Sequence, residues 1–435
     1  SYTKIKLVEN VEEKSINTYE KEIESLADIP LKLAAVTAEE GINLMNIGAM
    51  KTHASDIHYE PEEGKIVVRF RIDGVLHKIF EIKPDVYKNL ANQLKYQSRM
   101  QLNVATIPQD GRYVFNFNEK KIAVRVSTIP TPYGESFVCR YLVGDDQAAD
   151  FAELGFQGLA LKKLQNVCNI SHGMVLATGP TGSGKSTTLY ALLRKMTTPQ
   201  NKVITLEDPV EYNITGVTQS QIDEKHGYNF ANGLRAVLRQ DPDVVMLGEI
   251  RDLETAQTAA QAALTGHIVL STLHTNSAIE SIPRLINMGL APFMVAPALD
   301  TIIAQRLVRK VCNACSTLEN IPDSAKKEFE ETMKNLAKVN PAAVVQVPEK
   351  VPTVHGCKAC SNTGYTGRIV LAEVITINNE LKDLVLNNAS TVDLITAVRK
   401  EGIITMREDG FLKVAQGLTT LEEVFRVTNI SDSNG

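Results

Sequence analysis

No apolar run in this 435-residue chain approaches the ~18 residues needed to cross a bilayer. Its opening, SYTKIKLVENVEEKS, lacks the hydrophobic region of a signal peptide. Both absences lead us to expect a cytosolic protein. A basic excess is also missing: 46 Lys and Arg against 51 Asp and Glu leave a formal net charge of −5 and a pI near 6.0. No basic stretch interleaved with aromatics offsets that balance, so direct binding to nucleic acid is not expected. Cysteines are few, six in all. Four of them stand in two CxxC pairs, which fits a reducing compartment and a metal better than a disulfide framework. Neither a repeat of solenoid period nor a low-complexity tract is visible. The first residue is Ser1 rather than Met, so a natural N-terminus further upstream is expected. The length exceeds one ordinary core, and two or three domains are anticipated.

Residues 1–30 are polar and acidic, end at Pro30, and read as a linker or docking segment. A helical pattern over 31–48 precedes the alternating runs KIVVRFRI and VLHKIF, which meet at Asp73-Gly74, a hairpin signal. The pattern VYKNLANQLKYQSRM predicts another helix, Pro108 to Gly111 a turn, and GRYVFNF, KIAVRVSTI and ESFVCRYL further strands. Residues 31–147 are therefore expected to form a small α+β domain, closed by a linker at 144–150. From there to the end of the chain, strands alternate with helices, as in a mostly parallel α/β sheet. Residues 148–435 would form that second domain, with a mainly helical part over 376–430.

Within it, MVLATGPTGSGKSTT carries a full GxxxxGK(S/T) phosphate-binding loop between a strand and a helix: Gly179, Pro180, Thr181, Gly182, Ser183, Gly184, Lys185 and Ser186, followed by Thr187. Glycines let successive N–H groups face phosphate oxygens, and the helix beginning near Gly184 adds its positive end. Lys185 can reach the β- and γ-phosphates of ATP, and the Ser186 hydroxyl can ligate Mg²⁺. In open parallel sheets ligands sit beyond the strand C-termini, and here the strands at 202–208, 243–249 and 267–273 each end in polar residues. Glu249 ends one of them and Glu207 another; one acid would serve the metal and the other the attacking water. His274, after the third strand, is placed to sense the γ-phosphate, whereas His267 at its start is expected to support packing. Arg235, Arg239 and Arg251, around the strand that ends at Glu249, are candidates for interface or sensor contacts, and Arg112 in the DGR turn is a further candidate for a cation that reaches the nucleotide.

Cys312, Cys315, Cys357 and Cys360 form two CxxC knuckles separated by residues 316–356. Two thiolates from each complete the tetrahedral set that Zn²⁺ prefers, and with no open position the ion would be structural. The intervening segment is expected to fold back as an arm. Cys139 and Cys168 read as buried apolar residues.

The phosphate loop, ITLEDPVEY, DPDVVMLGEIRD and TGHIVLSTLHTNSA occur in this order, preceded by RFRIDGVLHK, PQDGRY and VRVSTIPTPYGESFVCR. Over roughly residues 30–430 the chain resembles the secretion ATPases of type II secretion and type IV pilus systems. That resemblance implies an N-terminal PAS-like domain, a RecA-like P-loop ATPase domain and a homohexameric motor. It gives Glu207 the water-activating role, ties Glu249 to Mg²⁺, and makes Arg125 and Arg140 nucleotide-reaching groups from the first domain. It also marks the four-cysteine element as a feature of assembly and secretion ATPases. The implied function is pilin assembly through an inner-membrane platform protein, with the motor peripheral at the cytoplasmic face. A type II secretion ATPase and a DNA-uptake pseudopilus motor are the neighbouring readings. Outside the family, a nucleic-acid translocase on the same core would need a basic pore stripe and steeply salt-dependent activity, and intact Lys185, Glu207 and Glu249 weigh against a regulator that no longer hydrolyses.

Overall fold

A computed structural model describes residues 28–33, 35–118, 120–143, 150–211 and 213–428. Most of the expected docking segment and of the 144–150 linker thus lies outside the described residues. The chain divides into two compact units, the first holding every strand up to Leu142 and the second every strand from Gly173 onward.

In the first unit, β1 (Ala54–Glu62), β2 (Lys65–Ile72), β3 (Val75–Ile82), β4 (Gln109–Phe117), β5 (Lys120–Thr131) and β6 (Gly134–Leu142) form one antiparallel sheet in the order β3-β2-β1-β6-β5-β4. The Asp73-Gly74 hairpin forms as expected, with both residues at positive φ (48° and 86°) between the paired Ile72 and Val75. The helix expected over 31–48 divides into Asp28–Leu33 and Ala38–Lys51. Thr37 restarts it through a capping box: its hydroxyl oxygen accepts from the Glu40 N–H while the Glu40 carboxylate accepts from the Thr37 N–H. Alternate residues of all six strands, among them Ile57, Phe70, Val124, Cys139 and Tyr141, pack with helices Ala38–Lys51 and Pro84–Gln97 into one core.

The turn expected at 108–111 is instead the start of β4, where Gly111 pairs with Val126. The glycine serves a close approach: a Cβ there would lie 2.3 Å from the Ser98 carbonyl oxygen. Replacing Gly111 with Ala should cost about 1–3 kcal/mol, the usual range for forcing an extra carbon into a packed site. A denaturant midpoint equal to that of the wild-type protein would refute this.

The second unit is built on a seven-stranded sheet of order β15-β12-β7-β11-β10-β8-β9. Its members are β7 (Gly173–Thr178), β8 (Val203–Glu207), β9 (Thr218–Gln221), β10 (Val244–Leu247), β11 (Ile268–Leu273), β12 (Leu299–Val311) and β15 (Tyr365–Thr376). All neighbours run parallel except β12 and β15. β7, β8, β10 and β11 are buried along their whole length, which explains why they read as unbroken apolar runs. Met174 and Leu176 face one core, Val175 and Ala177 the other.

The arm between the cysteine knuckles consists of β13 (Ser316–Asn320), the helix Asp323–Val339 and β14 (Lys350–Val354), with β13 and β14 antiparallel. Phe329, Met333 and Leu336 of that helix pack against Phe411, Leu412 and Val424, and the Phe329 and Phe411 rings lie 4.6 Å apart. The helical part expected from 376 comprises helices Asn379–Leu386, Thr391–Lys400, Met406–Ala415 and Leu421–Thr428. Among the described residues, no helix is long and apolar enough to cross a membrane.

Candidate functional site

The four buried parallel strands align their C-terminal ends: Thr178 is opposite Leu273, Met246 opposite Leu270, and Leu247 opposite Leu206. The phosphate loop, His274, Glu249 and Glu207 therefore leave the sheet along one edge, as ligand-binding open sheets require.

In the loop, Gly179, Gly182 and Gly184 have φ values of 148°, 79° and 86°, a region unfavourable to L side chains. At Gly179 a Cβ would also lie 2.5 Å from Ser183 Oγ and 2.6 Å from the Gln305 carbonyl oxygen. The loop feeds the helix Lys185–Met196, with Gly184 as its N-cap. Pro180 and Thr181 lie on the exposed rim, while Ser183 is buried and its Oγ is without a hydrogen-bond partner. Ser186 and Thr187 occupy the first helical turn, whose free N–H groups suit an anion. The Lys185 ammonium donates to the carbonyls of Gly179 and Pro180 at 2.9 and 3.0 Å. Burial pushes its pKa down, and Glu249 partly offsets that.

Glu249 follows β10 and is half-buried. Its Oε1 pairs with Arg251 Nη2 at 2.5 Å, and His274 Nε2 stands 3.7 Å from its Oε2. Burial, followed by the nearby Lys185 charge, holds the His274 pKa below its ordinary value, so the neutral ring prevails at pH 7. His267 has the expected supporting place, its Nδ1 lying 3.1 Å from the Ala262 carbonyl oxygen.

Glu207 ends β8 and is only 3% exposed. Its Oε2 accepts from the Tyr190 hydroxyl, and its Oε1 from Thr205 Oγ1 at 2.5 Å and Gln219 Nε2 at 3.1 Å. Tyr190 belongs to the same helix as Lys185, so the acid is tied directly to the helix that follows the glycine-rich loop.

The structure adds residues that the sequence reading missed. Gln305 Nε2 donates to the Ser183 carbonyl at 2.8 Å, and Arg306 Nη2 to the Asn276 carbonyl at 3.2 Å. They stand on β12, beside β7 in the sheet but over a hundred residues away in sequence, and no local motif marks them. Thr178 Oγ1 accepts from the Thr275 N–H at 3.2 Å and so links the phosphate loop to the histidine loop.

Arg125 and Arg140 lie opposite each other on β5 and β6 of the first unit. Arg140 Nε donates to Asp56 Oδ1 at 2.7 Å. Arg112 pairs across to Arg125 from β4. Arg235 is engaged by Glu254 and Asn232, and Arg239 Nη1 donates to the Arg235 carbonyl at 3.0 Å. Of the candidates Arg235, Arg239 and Arg251, only Arg251 pairs with a site acid.

Cys312, Cys315, Cys357 and Cys360 come together with every Sγ within 4.8 Å of the others. Sheet pairing closes the long sequence gap: Val311 of β12 is opposite Tyr365 of β15, and Ser316 of β13 opposite Val354 of β14. Each knuckle therefore occupies a junction of the two strand pairs. The Cys312 N–H donates to the Gly364 carbonyl at 2.9 Å, and the Cys357 N–H to Cys360 Sγ at 3.2 Å. Four thiols at this spacing suit a soft tetrahedral ion. Cys139 is buried as expected, and burial pushes its thiol pKa up; Cys168 is only half-buried.

A family profile described as "Type II/IV secretion system protein" matches residues 34–426. Type II secretion system protein E of Pseudomonas aeruginosa is 42% identical over 387 residues, covering 89% of this chain and 74% of that protein. The type IV pilus assembly ATPase PilB of Myxococcus xanthus is 42% identical over 387 residues, covering 88% of this chain and 66% of that protein. Among solved structures, the ADP-bound pilus retraction motor PilT is 26% identical with a TM-score of 0.58, covering 88% of this chain and 96% of that one. The Legionella pneumophila ATPase DotB shares the fold, with a TM-score of 0.65 at 22% identity over 90% of this chain and 96% of its own. The chain thus belongs to the type II/IV secretion system protein family.

Proposed function

We propose that this ATPase is the motor of type IV pilus assembly, converting ATP hydrolysis into the extraction of pilin subunits through an inner-membrane platform protein. The carrying observation is the single sheet edge at which the phosphate loop, Glu249, His274 and Glu207 converge. On this reading residues 31–147 are the PAS-like domain and 148–435 the RecA-like ATPase domain. The protein works as a cytoplasmic homohexamer peripheral to the membrane.

In the catalytic step, Lys185 exchanges the loop carbonyls of Gly179 and Pro180 for the β- and γ-phosphates. Ser186 and Glu249 would hold Mg²⁺, which would supply charge neutralisation at the transferring phosphoryl group. Glu207 takes the proton of the attacking water at Oε2, which has one donor against two on Oε1. His274 offers one donor or acceptor to the γ-phosphate. Arg125 and Arg140 are lent to a nucleotide by a neighbouring subunit, where such a cation contributes about 10³–10⁵ in rate. The four cysteines hold Zn²⁺ as a structural ion that pins the arm.

Subunit mixing tests the shared site. Arg140→Ala and Glu249→Gln chains, each inactive alone, should regain a measurable fraction of wild-type turnover when assembled together, because some interfaces then hold two intact halves. No recovery in verified mixed oligomers would refute donation between subunits. A type II secretion motor is the second reading, favoured by the secretion proteins E among the relatives. In the native cell, Glu249→Gln should abolish surface pili and leave exoprotein secretion unchanged. The reverse pattern would select the second reading.

A further inference from the structure

The face of the first unit's sheet turned away from its two packed helices carries a transverse row of charges. Antiparallel register sets Arg71 of β2 opposite Asp56 of β1, Asp56 opposite Arg140 of β6, Arg140 opposite Arg125 of β5, and Arg125 opposite Arg112 of β4. Directly opposed residues share a face. Their chain neighbours Ile57, Phe70, Cys139, Tyr141, Val124 and Val126 fill the core, so the row lies on the other face. Like charges placed opposite one another cost stability. Arg140, Arg125 and Arg112 stand side by side in this row, and an anion is a group that such a row suits.

Asp56 anchors the row. It is 2% exposed, so it is not an ordinary solvated surface charge. Ser55 Oγ donates to Oδ2 at 2.7 Å, and Arg71 Nε stands 3.5 Å from the same oxygen. Oδ1 takes the Arg140 Nε at 2.7 Å. Arg71 is also tied down at its outer end, where Nη1 donates to the Gly74 carbonyl at 3.0 Å. Arg140 makes no other hydrogen bond or ion pair among the described residues, and its side chain is 61% exposed. Its guanidinium is gripped at the inner nitrogen and leaves the Nη1 and Nη2 edge outward. That edge is the fork that binds phosphate oxygens bidentately.

We propose that Asp56 is the positioning residue of Arg140, holding Nε so that the outer fork meets a phosphoryl oxygen without first having to be ordered. The inference rests on the reading of Arg140 as a nucleotide-reaching group. A guanidinium on a free four-bond stem loses rotamer entropy when it engages a ligand. The Asp56 bond removes most of that loss beforehand, which is how preorganised groups raise rate.

The test is steady-state ATP hydrolysis by the full chain with chemical rescue. Arg140→Ala should be slowed by a factor on the order of 10³. Millimolar guanidinium should restore part of that turnover, since the Asp56 carboxylate remains to hold the small cation. Asp56→Asn should lower kcat about tenfold with little change in KM for ATP, a split that a general loss of structure would not produce. The double variant should show no guanidinium rescue. Arg140→Lys keeps the charge and the fold but cannot present an inner N–H and an outer fork together, so it should remain below a tenth of the wild-type rate. Wild-type turnover in Asp56→Asn or Arg140→Lys, or equal rescue in the double variant, would overturn the positioning role while Arg140→Ala stays slow. Wild-type turnover in Arg140→Ala would overturn the underlying reading of Arg140 and this inference with it.

Discussion

Glu249→Gln should reduce ATP turnover by a factor on the order of 10³ and leave nucleotide binding nearly intact. The substitution removes a charge and keeps the shape. It also breaks the ion pair to Arg251, but that arginine is 60% exposed, so the stability cost should be small. Lys185, the loop glycines and Ser186 remain to bind the phosphates. Glu207→Gln should fall by a comparable factor for a different reason, and magnesium separates the two. If Glu249 holds the metal, its variant should need more Mg²⁺ for half-maximal activity, whereas the Glu207 variant should keep the wild-type Mg²⁺ dependence. Wild-type turnover in Glu249→Gln would overturn the assignment. An unchanged Mg²⁺ requirement in that variant, with a raised one in Glu207→Gln, would exchange the two roles.

Loss of one buried cysteine ligand should be the largest change in stability. Wild-type protein is expected to carry one zinc per chain, and Cys360→Ser to carry none or nearly none. A structural zinc site adds its binding free energy to folding. Here the ion would pin the ends of two strand pairs, Val311 with Tyr365 and Ser316 with Val354. The arm has a second support in the packing of Phe329 against Phe411, so only part of that free energy should appear as lost stability. A fall in Tm of about 10 °C corresponds to a few kcal/mol in a domain of this size. Metal analysis and a thermal melt check both halves of the claim. A variant that keeps its zinc and its Tm would show that the thiols serve another purpose.

Local chemistry made much of the fold and site legible in advance. A strand-to-helix turn with glycines at fixed offsets and a following lysine and serine is a pattern that local sequence carries, and the structure sets Gly179, Gly182 and Gly184 at positive φ between a strand and the helix Lys185–Met196. Buried parallel strands read as apolar runs because both faces are covered, and 203–207, 244–247 and 268–273 are such strands. Legibility failed where one residue type serves two ends. Asp110-Gly111 has the composition of a turn, yet Gly111 is small so that the Ser98 carbonyl can approach within a strand. A helical period over 31–48 hid a break, because one capping box can restart a helix without disturbing the apolar pattern.

The sequence by itself determined the candidate residues: a glycine-rich loop ending in Lys185 and Ser186, two acids, a histidine, four thiols, and a set of arginines in the first unit. Each depends on residue type and short spacing, which the chain carries locally. Only the tertiary structure decided the neighbours. Strand order put Gln305 and Arg306 beside a loop more than a hundred residues earlier in sequence. It also closed the 316–356 gap between the cysteine pairs and lined Arg112, Arg125, Arg140, Asp56 and Arg71 into one row. The physical reason is that sheet pairing and register are set by burial summed over whole faces. No short stretch of sequence contains that sum.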